Sequence, residues 1–272
     1  MINIYCYFTP SHEILYKNFF LPSIPEGFSV VPLQSDVQDC TTAAFKSPGW
    51  GDTQLKKIVY WIKTIRENEG KVIIGSDVDA QFFNLTPSLV NDLLKDHDIL
   101  FQWNGGKVLV CAGFFIGRCN ANTLSLFEQL YETLIHDIKG IDDQSYLNMM
   151  LGMAVGGSKA RLESDIAAAD GAIAIDHAVL KSNYPETTFI HSPSLQPNVR
   201  WGILPPSLFW LPGFFYRSVN ELTVPEQIVF HHANWCIGLE KKIEQLEFVR
   251  NIIADRKLSN NIAYQFNEGE RL

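Results

Sequence analysis

The stretch from Asp52 to Asp79 constrains the fold more than any other part of this chain. Asp52 reads as a helix cap, and Leu55, Ile58, Ile62 and Ile65 follow it on one helical face. Gly70 closes the helix, and Val72-Ile73-Ile74-Gly75 then reads as a short central strand. A helix, a tight turn and a buried parallel strand make up the building unit of α/β proteins. The strand runs into Asp77-Val78-Asp79. Open α/β sheets bind ligands beyond the carboxyl ends of their strands. Residues i and i+2 of an extended segment point to one side, so both carboxylates can address one ligand. Hard oxygen donors of this kind suit Mg²⁺ or Mn²⁺, above all beside a pyrophosphate. The plainer alternative is a pair of surface carboxylates in a turn.

The remaining pattern is consistent with that unit. Ile2 to Phe8 reads as a buried strand that ends at Thr9-Pro10, and Phe28 to Leu33 as a second strand. Thr86-Pro87 starts a helix that runs to about Lys95, with a capping hydroxyl and proline at the first helical position. Ile99 to Gln102 and Lys107 to Cys111 read as strands around a Gly105-Gly106 turn, and Phe114 to Gly117 continues the tract. Leu124, Phe127, Tyr131, Leu134 and Ile138 mark one face of a long helix. Asp142-Asp143-Gln144 opens another helix, which holds Tyr146, Leu147 and Met150. Beyond Gly156-Gly157, Ala172 to Ile175 and Thr188 to Ile190 are expected as strands, and Pro193 to Pro225 mostly as loop. A helix from Glu240 to Asp255, with Ile243, Leu246, Val249 and Ile253 inward, closes the pattern, and the last dozen residues read as frayed. No repeat or linker divides the chain, so residues 1–272 are read as one α/β domain.

Composition narrows the function. With 30 acidic and 22 basic residues the formal net charge is −8, and basic residues cluster only in pairs such as Lys56-Lys57 and Lys241-Lys242. A broad nucleic-acid surface is excluded on that ground. Five cysteines without a CxxC pair read as free thiols in a reducing compartment. The first residues lack a basic leader and no stretch approaches 18 apolar residues, so a soluble, cytoplasmic protein without a membrane span is expected. An aspartyl-phosphate phosphatase also places Asp-x-Asp after a strand. That class has the pair near the N-terminus, with threonine or valine two residues beyond, whereas residue 81 here is glutamine.

Four segments together resemble the nucleotide-diphospho-sugar transferase family of plants, algae and microbes. They are Val72–Asp79, Cys111-Ala112-Gly113-Phe114-Phe115-Ile116-Gly117, Asp143-Gln144-Ser145-Tyr146-Leu147-Asn148 and His232-Ala233-Asn234-Trp235-Cys236-Ile237-Gly238. Their order and spacing match over about residues 50–246. The resemblance implies a GT-A type fold with a mostly parallel sheet. It also implies Mn²⁺ (or Mg²⁺), a UDP-sugar donor such as UDP-galactose, UDP-xylose or UDP-arabinose, a glycan acceptor, and retention of the donor's α configuration. The N-terminal part would hold the nucleotide and the C-terminal part the acceptor.

The resemblance also assigns residues. Asp79 would be the main metal ligand, Asp77 would reach the metal through water or hold the donor, and His232 would be the third ligand, with His231 the plainer alternative. Lys242, or Lys241 beside it, would offset charge on the diphosphate. Asp143 and Gln144 would stand beside the sugar. Asp142 is the adjacent alternative, and Asp143 read by itself is equally a helix cap. Gly113 would let the backbone approach the sugar, and Asn234 would bond a sugar hydroxyl. Gly238, Lys57 and Thr9 complete the donor set. Trp201 and Trp210 lie in the proline-rich loop region and Trp235 in the His232 loop, and because aromatic faces pack well against sugar rings they are read as acceptor-site candidates, with a core or loop-anchoring ring as the plainer alternative. Ala80-Gln81-Phe82-Phe83 departs from the bulkier residues the family carries after its aspartates. The second class of function is a carbohydrate-binding protein that has the fold without the catalysis.

Overall fold

Strand β1 (Ile2–Phe8) is the hub of the architecture: it pairs parallel with β2 (Phe28–Gln34) on one side and with β3 (Val72–Ser76) on the other. The computed structural model describes residues 1–40, 48–104, 110–136, 142–151, 173–174, 198–212, 218–234, 236 and 238–269. The further strands are β4 (Ala80–Phe82), β5 (Ile99–Trp103), β6 (Val110–Arg118), β7 (Ile173–Ala174), β8 (Trp201–Ile203), β9 (Phe209–Trp210) and β10 (Phe230–His232). The principal helices are α1 (Trp50–Glu67), α2 (Pro87–Leu94), α3 (Ala121–Ile135), α4 (Asp143–Met150) and α5 (Leu239–Gly269).

The main sheet runs β2-β1-β3-β6-β5-β8-β7, and a second sheet runs β4-β10-β9. The alternation of the strands sorts the core into two layers. Tyr5, Ile73 and Phe115 pack with Ile58, Trp61 and Ile65 of α1 and with Phe127 of α3. Ile4, Cys6, Ile74 and Phe114 face the other way, onto Val90 and Leu94 of α2, Phe230 of β10 and Leu246 of α5.

Several expectations meet the structure closely. Strand β1 has the expected limits, and the Thr86 hydroxyl accepts from Leu89 N–H at the start of α2. Other details differ. The main sheet is mostly parallel as expected, with β1, β2, β3, β5 and β8 running one way, but β6 and β7 run against them, so the β3–β6, β5–β6 and β7–β8 pairs are antiparallel. Helix α1 begins after Gly49, so Asp52 lies in the first turn and not at the cap; its carboxylate still complements the helix dipole there. The loop expected from Pro193 to Pro225 contains β8, which completes the main sheet beside β5, and β9 of the second sheet. Their two- and three-residue lengths carry no periodic signal, so tertiary pairing alone makes them strands. Helix α5 continues to Gly269, past the expected fraying point, through a stretch free of proline. Residues 173–174 form a strand as expected, whereas Gly105-Gly106, Ile138, Gly156-Gly157 and Thr188 to Ile190 lie outside the described residues. No helix among the described residues is long and apolar enough to cross a membrane.

Candidate active site

The site forms where the two sheets meet. Beyond β3 the chain crosses into β4 through Asp77-Val78-Asp79, and both aspartates are tied by their backbone. Asp77 N–H donates to Gly113 C=O of β6 at 2.7 Å, and Asp79 C=O accepts from Ala233 N–H at 2.8 Å, just past β10. Because β10 lies antiparallel to β4, with His232 opposite Ala80, the histidine returns beside the aspartate 153 positions upstream. His232 Nε2 lies 3.2 Å from Asp79 Oδ1. One ligand atom each from Asp77, Asp79 and His232 falls within 4.8 Å of the others.

Two lysines flank the pair. Lys57 Nζ of α1 stands 3.6 Å from Asp77 Oδ1 and 3.0 Å from Asp143 Oδ2. Lys242 Nζ, in the first turn of α5, contacts Asp79 Oδ2. Its neighbour Lys241 faces solvent, so the two lysines separate cleanly. Gly238 has φ +94°, a left-handed turn into α5 that glycine adopts without strain. That turn carries the chain from the His232 loop to Lys242.

Electrostatics follow from this packing. Burial raises the Asp79 carboxyl, but Lys242 and His232 more than offset it and hold it well below the usual carboxylate range. Burial would lower His232, yet Asp79 and Cys111 push it up to about 10. Burial holds the neighbouring His231 neutral, down to about 3. His231 points away from the cluster, stacks on Trp210 at 5.2 Å and meets Gln81 Nε2 at 3.2 Å through Nδ1. Of the two histidines, then, only His232 addresses the aspartates. Lys57 is raised despite burial, by Asp143 and Asp77.

At the start of α4 the adjacent carboxylates have different partners. Asp142 is the cap: its Oδ1 accepts from Ser145 N–H at 2.6 Å. Asp143 occupies the first helical position, only 3% exposed, with its backbone N–H on Gln54 and its carboxylate against Lys57. The reading of Asp143 as the cap is therefore corrected, and Asp142 faces no group of the cluster among its hydrogen bonds. Gln144 Oε1 accepts from Ala112 N–H at 3.2 Å, and Asn148 exchanges two hydrogen bonds with Val110, so α4 is stitched to β6.

Gly113 lies under the cluster. A Cβ there would come within 2.5 Å of His232 Cε1 and 2.8 Å of Asp77 Oδ2, so glycine is what lets both side chains converge. Asn234 donates to Asn104 Oδ1 at 3.3 Å and to Cys111 Sγ at 3.4 Å, beside His232. Buried Thr9 bonds His12 Nδ1 at 3.3 Å and Ser11 Oγ at 3.2 Å at the end of β1.

The aromatic assignments fare differently. Trp201 is 4% exposed in β8 and packs in the core layer with Phe101, so it has no face for a sugar and is withdrawn as an acceptor contact. Trp210 is half-buried, with one face on His231. Trp235 lies outside the described residues. Asp79 is 5% exposed, beneath Lys242 and His232. Sequence reasoning missed Gln102, whose Oε1 lies 3.1 Å from His232 Nδ1, and His12, whose proton affinity is lowered by burial and by Lys242. Only its nearness to the end of β1 hints at His12; a glutamine inside a strand gives no signal at all.

Two carboxylates and one imidazole around a side-chain-free backbone cradle fit a Mn²⁺ or Mg²⁺ ion by donor chemistry. Comparison with known proteins agrees with the fold that builds this cluster. The profile of the nucleotide-diphospho-sugar transferase family matches residues 30–246. A glycosyltransferase involved in the glycosylation of the major capsid of PBCV-1 superposes with a TM-score of 0.51 at 10% identity, over 92% of this chain and 100% of its own. The glycosyltransferase GlyE of Streptococcus pneumoniae gives 0.47 at 8% identity, over 96% of this chain and 63% of its own. No curated protein matches in sequence. The chain belongs to the nucleotide-diphospho-sugar transferase family, with the GT-A fold of glycosyltransferases.

Proposed function

We propose that this protein transfers a sugar from a UDP-sugar to a glycan acceptor, with retention of configuration, and that it requires Mn²⁺ or Mg²⁺ held by Asp77, Asp79 and His232. The observation that carries this reading is the convergence of those three side chains within 4.8 Å at the junction of the two sheets. When bound, the metal offsets the charge that develops on the leaving diphosphate. Lys242, already against Asp79, supplies a second positive charge to the same oxygens. Asp143 is assigned to the donor sugar, and Lys57, 3.0 Å from its Oδ2, holds the carboxylate in place. Thr9, Asn234 and Gly238 are assigned to the donor and the half-buried Trp210 to the acceptor. UDP, with galactose or xylose as the sugar, is assigned by family resemblance alone. We further infer that residues 1–272 work as one unit, in a reducing, cytoplasmic setting that suits five free thiols.

Calorimetric titration with UDP, with and without Mn²⁺, tests the metal. Tighter binding with Mn²⁺ is expected, and equal affinity in both sinks the assignment. A panel of nucleotide sugars screened for Mn²⁺-dependent hydrolysis tests the catalysis. Binding of sugars without turnover of any donor would turn the reading to a non-catalytic carbohydrate-binding protein.

A further inference from the structure

We propose that Gln102 is the positioning residue that makes His232 a metal ligand, by fixing which of its ring nitrogens carries the hydrogen. The inference rests on the reading of His232 as a ligand and adds a residue outside the coordinating set. Gln102 is fully buried in β5, beside the point where the β5–β6 register shifts after Phe101. Its Nε2 lies 3.3 Å from the carbonyl oxygens of both Phe209 and Trp210 in β9. Carbonyl oxygens only accept, so the amide end that faces two of them must be the NH₂. A flipped amide would set an oxygen against two oxygens. The orientation of Gln102 is thereby decided, and its Oε1 is the atom 3.1 Å from His232 Nδ1.

An amide oxygen only accepts, so Nδ1 must carry a hydrogen. While His232 pairs with Asp79, Nε2 also holds a hydrogen; with Nδ1–H fixed on Gln102, the hydrogen a metal displaces is the one on Nε2, the nitrogen 3.2 Å from Asp79 Oδ1, on the cluster side. Cys111 Sγ, 3.7 Å from Nδ1, is a weak partner and already accepts from Gly113 N–H and Asn234 Nδ2 at 3.4 Å each. The neighbouring histidine shows the opposite device. Gln81 Nε2 donates to Leu246 C=O at 3.0 Å and meets His231 Nδ1 at 3.2 Å, so Nδ1 of His231 is the acceptor and its hydrogen sits on Nε2. Two adjacent histidines thus have two glutamines that favour opposite tautomers, and only the arrangement at His232 reserves Nε2, on the side of the aspartates, for a metal.

Mn²⁺ affinity in the presence of UDP, read from the electron paramagnetic resonance of free Mn²⁺, tests this in the wild type, Gln102→Leu and Gln102→Glu. Gln102→Leu removes the acceptor and is expected to weaken Mn²⁺ binding by about ten- to a hundredfold. Gln102→Glu keeps an oxygen toward Nδ1 and is expected to bind Mn²⁺ within about threefold of the wild type. Its second oxygen nevertheless faces two carbonyls, so its Tm falls. A purely structural role would make affinity follow Tm in both variants. The wild type is tested without any substitution by ¹H–¹⁵N spectra of its histidines with Mg²⁺ and UDP. His232 should carry its hydrogen on Nδ1 and His231 on Nε2. A hydrogen on Nε2 of His232, a folded Gln102→Leu that binds Mn²⁺ like the wild type, or a Gln102→Glu that loses as much affinity as the leucine variant overturns the role of Gln102 alone. A wild type that binds no Mn²⁺ with UDP overturns the metal reading and this proposal with it.

Discussion

Asp77 and Asp79 are two residues apart, yet elements from opposite ends of the chain partner them. On one side Lys57 comes from α1, an 18-residue helix anchored in the core by Ile58, Trp61 and Ile65, and it bridges two carboxylates, Asp77 and Asp143. On the other side Lys242 comes from the first turn of α5, past the Gly238 turn, and it meets one carboxylate that His232 already partners. Loss of Lys57 leaves a buried carboxylate at Asp143 without its cation, whereas loss of Lys242 leaves Asp79 still paired. The difference teaches that similar ion pairs are built differently: on the α1 side one lysine ties two carboxylates to a core helix, and on the α5 side one carboxylate holds both a lysine and a histidine, the side where the proposed ligand charge would be met.

Substitutions can break that comparison, and the largest effect is expected at the residue both ligand-side groups share. Asp79→Asn should lower kcat by about a thousandfold, since a lost metal ligand removes several kcal/mol of charge stabilisation. Far-ultraviolet circular dichroism should be unchanged; full activity, or an unfolded variant, would end the role assigned to Asp79.

Lys57→Met should cost about 3 kcal/mol in urea unfolding, as removal of one partner from a buried pair does. A cost below about 1 kcal/mol, the range of exposed pairs, would show that the tie on the α1 side holds no more than a surface pair does. Asp143→Asn should lower turnover by about a hundredfold and move the donor KM much less, because a carboxylate beside the sugar acts on charge that develops in the transition state. Steady-state kinetics with donor varied decides this, and unchanged turnover removes Asp143 from the reaction.

Lys242→Met should lower turnover about tenfold, with a smaller loss of stability than Lys57→Met. If the two lysine variants lose stability equally, the division between the sides fails. The smallest effect is expected at Asp142→Asn, because asparagine caps a helix nearly as well as aspartate. Its Tm and turnover should match the wild type, and a loss of turnover there would move the catalytic assignment one residue upstream.

Much of the frame was legible because local chemistry dictates it. The apolar run Val72–Gly75 ahead of two aspartates, the helical face of α1 and the Thr86-Pro87 start each need only neighbouring residues to define them. The same holds for α5 up to Asp255, whose inward residues repeat at helical spacing. Strands β8 and β9 were not legible, because at two or three residues a strand exists only through its partner. Sequence by itself also determined which residue types are available for ligand chemistry, since Asp77-Val78-Asp79 and the pair His231-His232 stand out by type and by the segments that hold them. It left open which of two adjacent residues faces the cluster, and only the tertiary structure decided that. His232 rather than His231, Asp143 rather than Asp142 and Lys242 rather than Lys241 face the cluster. The pleat of β10, the first turn of α4 and the first turn of α5 send consecutive side chains in different directions, and which direction is inward depends on what packs against each element. Trp201 and Gln102 make the same point: a tryptophan is an acceptor ring or a core residue, and a glutamine a surface amide or the group that orients a histidine, according to what long-range pairing brings beside them.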